Sequence, residues 1–530
     1  MKILLDGHDT FRDISHETKR RKSTDLVLQA KEIDELWRKK CFQVEQKRKD
    51  KHKIDKDVAD KFKEQKKLGA KKDDEGAKDA QTKIETEIEE LKQKGRDLNA
   101  EIENGQLEIV QLEKDLCTKI NQIGVPCAQE SPDFEDEKDN IIVRIVGPVQ
   151  KQEGKLSHID LIRMIGGVEY NHAIKVAGGR AYYLKGDSVL LLMALEQLAT
   201  RHLVERGFTP ILPPFFMNKE IMAECAQLEE FDETLYKVTG EGEDKYLIAT
   251  SEQPLTCLHR GDWMEPQDLP IRYMGKSTCF RKEAGSHGKD TLGIFRIHQF
   301  DKIEQMCITA PEGEADYQKR VRIEKKEKVK EKKKDKVKDK DNEDQKGIGE
   351  EQKDNINLDE DGNDGHLIGS WAMFHEMIKN SEDFYQKLGF GYRIVNIVAG
   401  ALNNAAAMKY DLEAYFPGSD AFRELVSCSN CLDYQSRRLG IRYGVSASKE
   451  KKERKYVHML NATLSALQRT LCCLLETHQT PEGIAVPEVL WPYLDDKRHF
   501  IKFKLTKKQI DEQDKSDSKQ KEKGKKEDKE

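Results

Sequence analysis

The chain has 530 residues, of which 36% are charged, yet its net charge is only −6. About 25% charged is usual for a soluble protein; here the excess is concentrated in the first third, in a run near the middle and in the last stretch. So balanced a total excludes a global basic field as the means of holding nucleic acid and leaves that task to local patches.

The length exceeds what one ordinary domain needs, so a large core with an appendage is expected. The apolar start, Ile3 to Leu5, stops at Asp6, short of a signal-peptide core. The apolar run Val189 to Leu195 is too short to span a bilayer. Eleven cysteines follow no small-domain spacing, as expected of reduced thiols in the cytosol. Cys428 and Cys431 have CxxC spacing without a second pair, so they read as packing residues, with metal or redox use as the alternative.

In chain order, Leu26, Ala30, Ile33, Trp37, Val44, Ile54 and Val58 follow a 4-3 pattern. After a polar stretch, Gly69 to Thr82, a second series runs through Ile84, Ile88, Leu91, Leu98, Ile102, Ile109, Leu112 and Leu116. This is a heptad seam on two helices, each on the order of 40 residues and roughly 60 Å long, folded back as an antiparallel pair. Gly95 and Gly105 fall on the seam at about 1 kcal/mol each against Ala, which predicts a loose hairpin at those levels. On periodicity alone the pair reads as a generic dimerising coiled coil.

From about Pro126 the sequence turns globular. Strand-like runs such as Ile141–Val146 and Tyr246–Ala249 alternate with helix-like ones such as Ser188–Arg206, and the stretch to about His499 is long enough for a sizeable core. Between about Pro311 and Gly369 it is broken by Lys-, Glu- and Asp-rich sequence with few apolar residues, which predicts a disordered insert at about 312–366. The domains expected are a helical arm over 1–125, a core over 126–500 and a charged tail over 501–530, with helix or disorder open for the tail.

Within the core, STCFRKEAGSHGKDTLGIFRIHQFDKIEQ (Ser277–Gln305) reads as two strands around a polar loop. Arg281 and Glu283 share a face of the first strand, and Arg296, His298, Phe300 and Glu304 a face of the second. Two guanidinium forks, two carboxylates and an aromatic ring on one surface suit an adenine nucleotide, the ring stacking the base and the forks neutralising phosphate. A salt-bridge ladder is the plainer alternative.

This stretch resembles motif 2 of the class II aminoacyl-tRNA synthetases, and its wording is similar to the seryl enzymes of the eukaryotic cytosol. LVERGFTPILPPFFM (Leu203–Met217) resembles motif 1, the dimer-interface helix and strand. YLIATSEQPL (Tyr246–Leu255) resembles the seryl enzymes' TxE loop. FRELVSCSNCLDYQSRRLGIRYG (Phe422–Gly444) and HMLNATLSALQRTLCCLLE (His458–Glu476) resemble the last strands and motif 3.

The resemblance implies an α+β fold, a class II antiparallel sheet with flanking helices, plus an N-terminal antiparallel helical hairpin. It implies a cytoplasmic homodimer that uses ATP and Mg²⁺ to form seryl-adenylate and passes the seryl group to tRNA(Ser), with tRNA(Sec) left open. Arg281 and Arg469 would be catalytic. ATP would be held by Arg281, Lys282, Glu283, Arg296, Ile297, Phe300, Glu424, Leu425, Val426, Ser427 and Arg469, with Glu424 and Ser427 on Mg²⁺, for which hard oxygen donors are right. Serine would be held by Thr250, Ser251, Glu252, Arg281, Glu304, Asn461 and Thr463; a pocket that hydrogen-bonds a hydroxyl rejects an analogue lacking it. Singly, Thr463 reads equally as a helix cap and Asn461 as a turn residue. Glu424 and Ser427, three apart on a strand, should face opposite ways, so a bulge or strand end is required between them. The hairpin would grip the long variable arm of the tRNA, with Arg38, Lys39, Lys40, Lys47, Arg48, Lys49, Lys51 and Lys53 along the rod. The alternatives are another class II ligase and an inactive RNA-binding paralogue.

Overall fold

A computed structural model of the chain describes residues 24–68, 75–225, 234–240, 242–283, 293–313, 369–444 and 455–516. The chain divides into two compact units, Met1–Pro126 and Cys127–Glu530. The insert expected at about 312–366 lies, beyond Gly313, outside the described residues.

The first unit is a pair of long helices, α1 (Thr24–Leu68, 45 residues) and α2 (Glu75–Gln122, 48 residues). The second starts inside the stretch expected to be a polar break, because Ala80 and Gln81 within it are good helix formers. The helices run antiparallel: Lys47 Nζ meets Glu101 Oε2 at 2.7 Å and Lys61 Nζ meets Glu87 Oε2 at 2.8 Å, so partners descend α2 as they ascend α1. Val27, Ala30, Val44, Ile84, Ile88 and Leu116 are buried along the seam. The looseness expected at the two seam glycines is not found at Gly105. A Cβ on Gly105 would come within 2.6 Å of Val44 Cγ2, so glycine there permits close approach, whereas one on Gly95 would meet Ile54 Cγ2 at an ordinary 3.9 Å.

The second unit is built on eight strands: β1 (Ile141–Val146), β2 (Thr209–Ile211), β3 (Ile271–Phe280), β4 (Gln299–Thr309), β5 (Tyr392–Asn396), β6 (Met408–Phe416), β7 (Ala421–Asn430) and β8 (His458–Ala466). Their order across the sheet is β1-β5-β6-β7-β8-β4-β3-β2, and every pairing is antiparallel except the parallel β2–β3 edge. Helices α3 (His158–Met164), α4 (Asp187–Val204), α5 (Glu252–Cys257), α6 (Ser370–Lys387), α7 (Tyr434–Leu439) and α8 (Leu467–Thr477) flank it. Leu191 and Leu195 of α4, Phe374 and Phe384 of α6 and Leu471 and Leu474 of α8 are completely buried in one core. Each such side chain contributes about 1.5–3 kcal/mol of burial.

Two sets of contacts hold α3. His158, at the start of α3, puts Nδ1 2.7 Å from Glu476 Oε1 of α8, and the other carboxylate oxygen accepts the Gly418 N–H at 2.8 Å. Burial opposes charge on this imidazole, but Cys472 and the Glu476 carboxylate prevail and push it up to about 10. At the far end, residues 507–516 form a helix on α3: Ile510 is buried, Lys507 Nζ meets Asp160 Oδ1 at 2.7 Å, and Arg163 forks onto Asp514 at 2.9 and 2.6 Å. The tail expected from 501 is thus part of the folded core as far as 516.

Candidate active site

Two irregularities in the sheet shape the site. Across β6 and β7, Leu412 pairs with Val426 and Glu413 with Glu424, so Leu425 is an extra residue in β7. That is the bulge the sequence required. It brings Glu424 and Ser427 to one face, and both border the same cavity. Across β4 and β8, Ile303 pairs with Ser465 and Glu304 with Thr463, so Leu464 is the extra residue in β8. Thr463 and Ala466, on either side of it, both reach the cavity.

The cavity opens to solvent. Its lining includes Arg281, Glu283, Arg296 and Ile297 from the β3–β4 hairpin ends, Phe300 and Lys302 of β4, Glu424, Leu425 and Ser427 of β7, Thr463 of β8 and Arg469 of α8. The hairpin is shorter than expected. β3 ends at Phe280 and β4 starts at Gln299, so Arg281, Glu283, Arg296 and His298 lie beyond the strand ends. They are nonetheless held: the Arg281 N–H donates to His298 O at 2.9 Å, and His298 Nδ1 donates back to Arg281 O at 3.0 Å. This turns His298 edge-on to Tyr236 and off the cavity face on which the sequence had placed it. Glu283 takes a left-handed φ of 52°, which aims its carboxylate at Arg296 Nε, 3.7 Å away.

The Arg281 guanidinium lies 5.2 Å over the Phe300 ring, with Nε 3.4 Å from Ala249 O. Arg469, near the start of α8, lies 4.8 Å over Phe295, with Nε 3.3 Å from Phe295 O and Nη1 3.2 Å from Glu424 O. Burial lowers its pKa; a guanidinium stays charged regardless. Beside Ser427, in register on β6, is Asp411, which burial pushes up to about 7 against the pull of Lys409.

Next to the cavity is a second group, rich in charge. Glu252 Oε1 accepts from Asn461 Nδ2 at 2.9 Å and from Gln435 Nε2 at 3.0 Å. Lys302 Nζ lies 3.1 Å from Thr250 Oγ1 and forms an ion pair with Glu304. Burial raises both carboxylates above their ordinary range, and the charge of Glu304 raises Glu252 further, while Lys302 and Arg281 pull both back. Arg281 therefore acts on the cavity and on this group at once. Thr463 and Asn461 are strand residues of β8, neither a cap nor a turn.

Thr250, Glu252, Glu304 and Asn461 lie in the adjoining group rather than in the cavity lining, and three more expected residues stand apart from both. The Lys282 N–H is used by Thr234 O at 2.9 Å, Val426 is fully buried in the core, and the Ser251 hydroxyl packs where a Cβ on Gly275 would come within 2.6 Å. Five residues escaped sequence reasoning: Phe295, Lys302, Ala466, Gln468 and Gln435. The period of two that picked out Phe300 and Glu304 also passes through Lys302 and could have found it. Gln435 could not be found so, because its contact with Glu252 joins α7 to α5 across 183 positions. Gln468 and the Asp301 carboxylate are paired at 2.9 Å, which fixes the start of β4.

A family profile described as the tRNA synthetase class II core domain (G, H, P, S and T) matches residues 236–332 and 361–478. The chain is 42% identical over 497 residues to the cytoplasmic serine–tRNA ligase of Arabidopsis thaliana, covering 93% of each. It is similar to the cytoplasmic serine–tRNA ligase of Naegleria fowleri solved with AMP, at 41% identity and a TM-score of 0.71 over 93% of this chain and 96% of that one. It is similar also to the seryl-tRNA synthetase of Pyrococcus horikoshii solved with ATP, at 30% identity and a TM-score of 0.72 over 92% and 96%.

Proposed function

The chain belongs to the serine–tRNA ligases of class II, and on that premise we propose that the cavity between Phe300 and Arg469 holds ATP while the Thr250, Glu252, Glu304 and Asn461 group holds serine. The activity is ATP-dependent activation of L-serine and transfer of the seryl group to tRNA. One observation carries the assignment: the Arg281 guanidinium stacks on a cavity ring and also acts on both buried carboxylates. A cation shared by the two halves is what in-line attack of a carboxylate on an α-phosphorus needs, since negative charge gathers there as pyrophosphate leaves.

Each side chain then has a task. Phe300 offers a face to adenine, and Arg296 and Arg469 take phosphate charge. Glu252 and Glu304 receive the ammonium and hydroxyl of serine, whose polar groups must be paired once buried. In the second step a tRNA ribose hydroxyl attacks the acyl carbon and AMP leaves, with Arg281 and Arg469 still neutralising the phosphate. Glu424 and Ser427 fit Mg²⁺: they are hard oxygen donors on one face, and two protein ligands leave the remaining positions to phosphate and water, as this ion prefers. When bound, it would supply further charge neutralisation on the phosphates.

The remaining readings rest on other observations. The α1–α2 hairpin is the tRNA arm, with tRNA(Ser) as its partner; Lys47, Lys49, Lys51 and Lys53 are in exposed pairs with carboxylates, which contribute little and exchange readily for phosphate. A second copy of the chain covers β1, whose Ile141, Ile142, Val143 and Ile145 are all exposed on a sheet edge, a liability that pairing removes. The names of the relatives support a cytoplasmic location. Among the described residues no helix is long and apolar enough to cross a membrane. The test is Arg281→Ala in serine-dependent ATP–pyrophosphate exchange: activity should fall on the order of 10³-fold with the fold intact. Near-normal exchange would remove Arg281 from the site.

A further inference from the structure

The serine-binding reading accounts for the carboxylates but gives no role to the cation between them. Lys302 comes from the same face of β4 as Phe300 and Glu304, and its side chain is almost wholly buried. Its ammonium donates to Thr250 Oγ1 at 3.1 Å and contacts the Glu304 carboxylate. It thus bridges two of the groups assigned to the substrate. Glu304 is 1% exposed, and Glu252 is near enough to feel its charge.

Counting charge shows what the lysine does. The groups facing this pocket are Glu252 from α5, Glu304 and Lys302 from β4, and Arg281 beyond β3. The thiols of Cys279 and Cys428 lie near Glu304, and Cys431 contacts Asn461 at 3.5 Å. Burial raises Cys279 and Cys428, so those thiols stay neutral. Two carboxylates balance two cations, and a serine zwitterion adds no net charge. Without Lys302 two carboxylates would face one guanidinium in a desolvated pocket, and the charge of one then favours a proton on the other.

We infer that Lys302 is a positioning residue for substrate binding: its ammonium keeps the Glu252–Glu304 pair fully ionised, so that the ammonium of serine is received without expelling a proton. This inference rests on the reading of Glu304 as a serine ligand. It gives Lys302 a role in admitting amino acids as zwitterions, distinct from the phosphate-neutralising role of Arg281.

The experiment is the near-isosteric substitution Lys302→Met in the full chain, with serine KM taken from pyrophosphate exchange between pH 6 and 8. Calorimetric titration of serine in buffers of different ionisation heat gives the protons released. In the parent protein KM is flat with pH and no proton leaves on binding. In Lys302→Met the pair holds a proton, so KM rises on the order of tenfold at pH 6.5, falls back as pH rises, and about one proton leaves per serine bound. The double variant Lys302→Met with Glu304→Gln restores charge balance and abolishes the release. Should Lys302→Met fail to fold, Lys302→Gln carries the same expectation. A flat KM with no proton release in the charge-removing variants overturns the inference. Glu304→Gln alone tests the underlying reading: unchanged serine affinity there would dismiss Glu304 as a ligand, whatever Lys302 does.

Discussion

At the scale of single residues, the site depends on polar groups that are costly to bury and so must be paired. Thr463 faces Glu304 across β8 and β4 and borders the cavity. On the expectation that Thr463 is a serine ligand, Thr463→Val keeps the shape and leaves the substrate's hydroxyl without this partner, at about 1–3 kcal/mol. Serine KM should rise between about tenfold and a hundredfold while ATP KM stays put; an equal loss of ATP affinity would place Thr463 in the nucleotide half. His158 belongs to the same scale. Its pKa is about 10 against an ordinary 6.5, so the stability it contributes is whole below 6.5 and lost as pH rises toward 10. His158→Gln should therefore melt lower than the parent at pH 7, and the gap should close at pH 10. A gap that does not change with pH would show that packing, not charge, is what His158 supplies.

At the scale of elements, two bulges and two glycines decide more than any propensity. Deleting Leu425 would restore a regular β6–β7 ladder and turn either Glu424 or Ser427 away from the cavity. Exchange should be lost with far-ultraviolet circular dichroism unchanged; retained exchange would mean that the bulge does not organise the site. On the arm, Gly95→Ala has room and should gain about 1 kcal/mol in helix propensity. Gly105→Ala drives a methyl into Val44, a stiff β-branched side chain, and overpacking of about 1–3 kcal/mol outweighs that gain. Amide exchange along α1 and α2 should slow in the first variant and quicken in the second. These are also the places where sequence alone gave out. Its heptads defined the arm, and its motifs brought Arg281, Phe300, Glu424 and Arg469 together. The need for a bulge between Glu424 and Ser427 was legible from strand period, but its position at Leu425 was not, because a bulge is a property of two strands in register. The early start of α2 and the tight seam at Gly105 were missed for a related reason: polar helix formers look like a break, and a missing side chain looks like a void until the partner helix is in place.

At the scale of the whole molecule, the proposed reading assigns one half-reaction to each of the two units. Every residue assigned to serine or ATP lies in the unit Cys127–Glu530, and the basic hairpin lies in the unit Met1–Pro126. A tRNA is needed only for transfer, where its acceptor end must be held in attacking geometry, so activation should not depend on the arm. The measurement that bears most directly on this is ATP–pyrophosphate exchange across the twenty amino acids, together with tRNA charging, for the full chain and for a variant in which 26–116 is replaced by a short linker. The account predicts exchange with serine and no other amino acid in both proteins, at similar rates, with charging reduced by orders of magnitude in the variant alone. Exchange driven by another amino acid, or lost together with the arm, would contradict it.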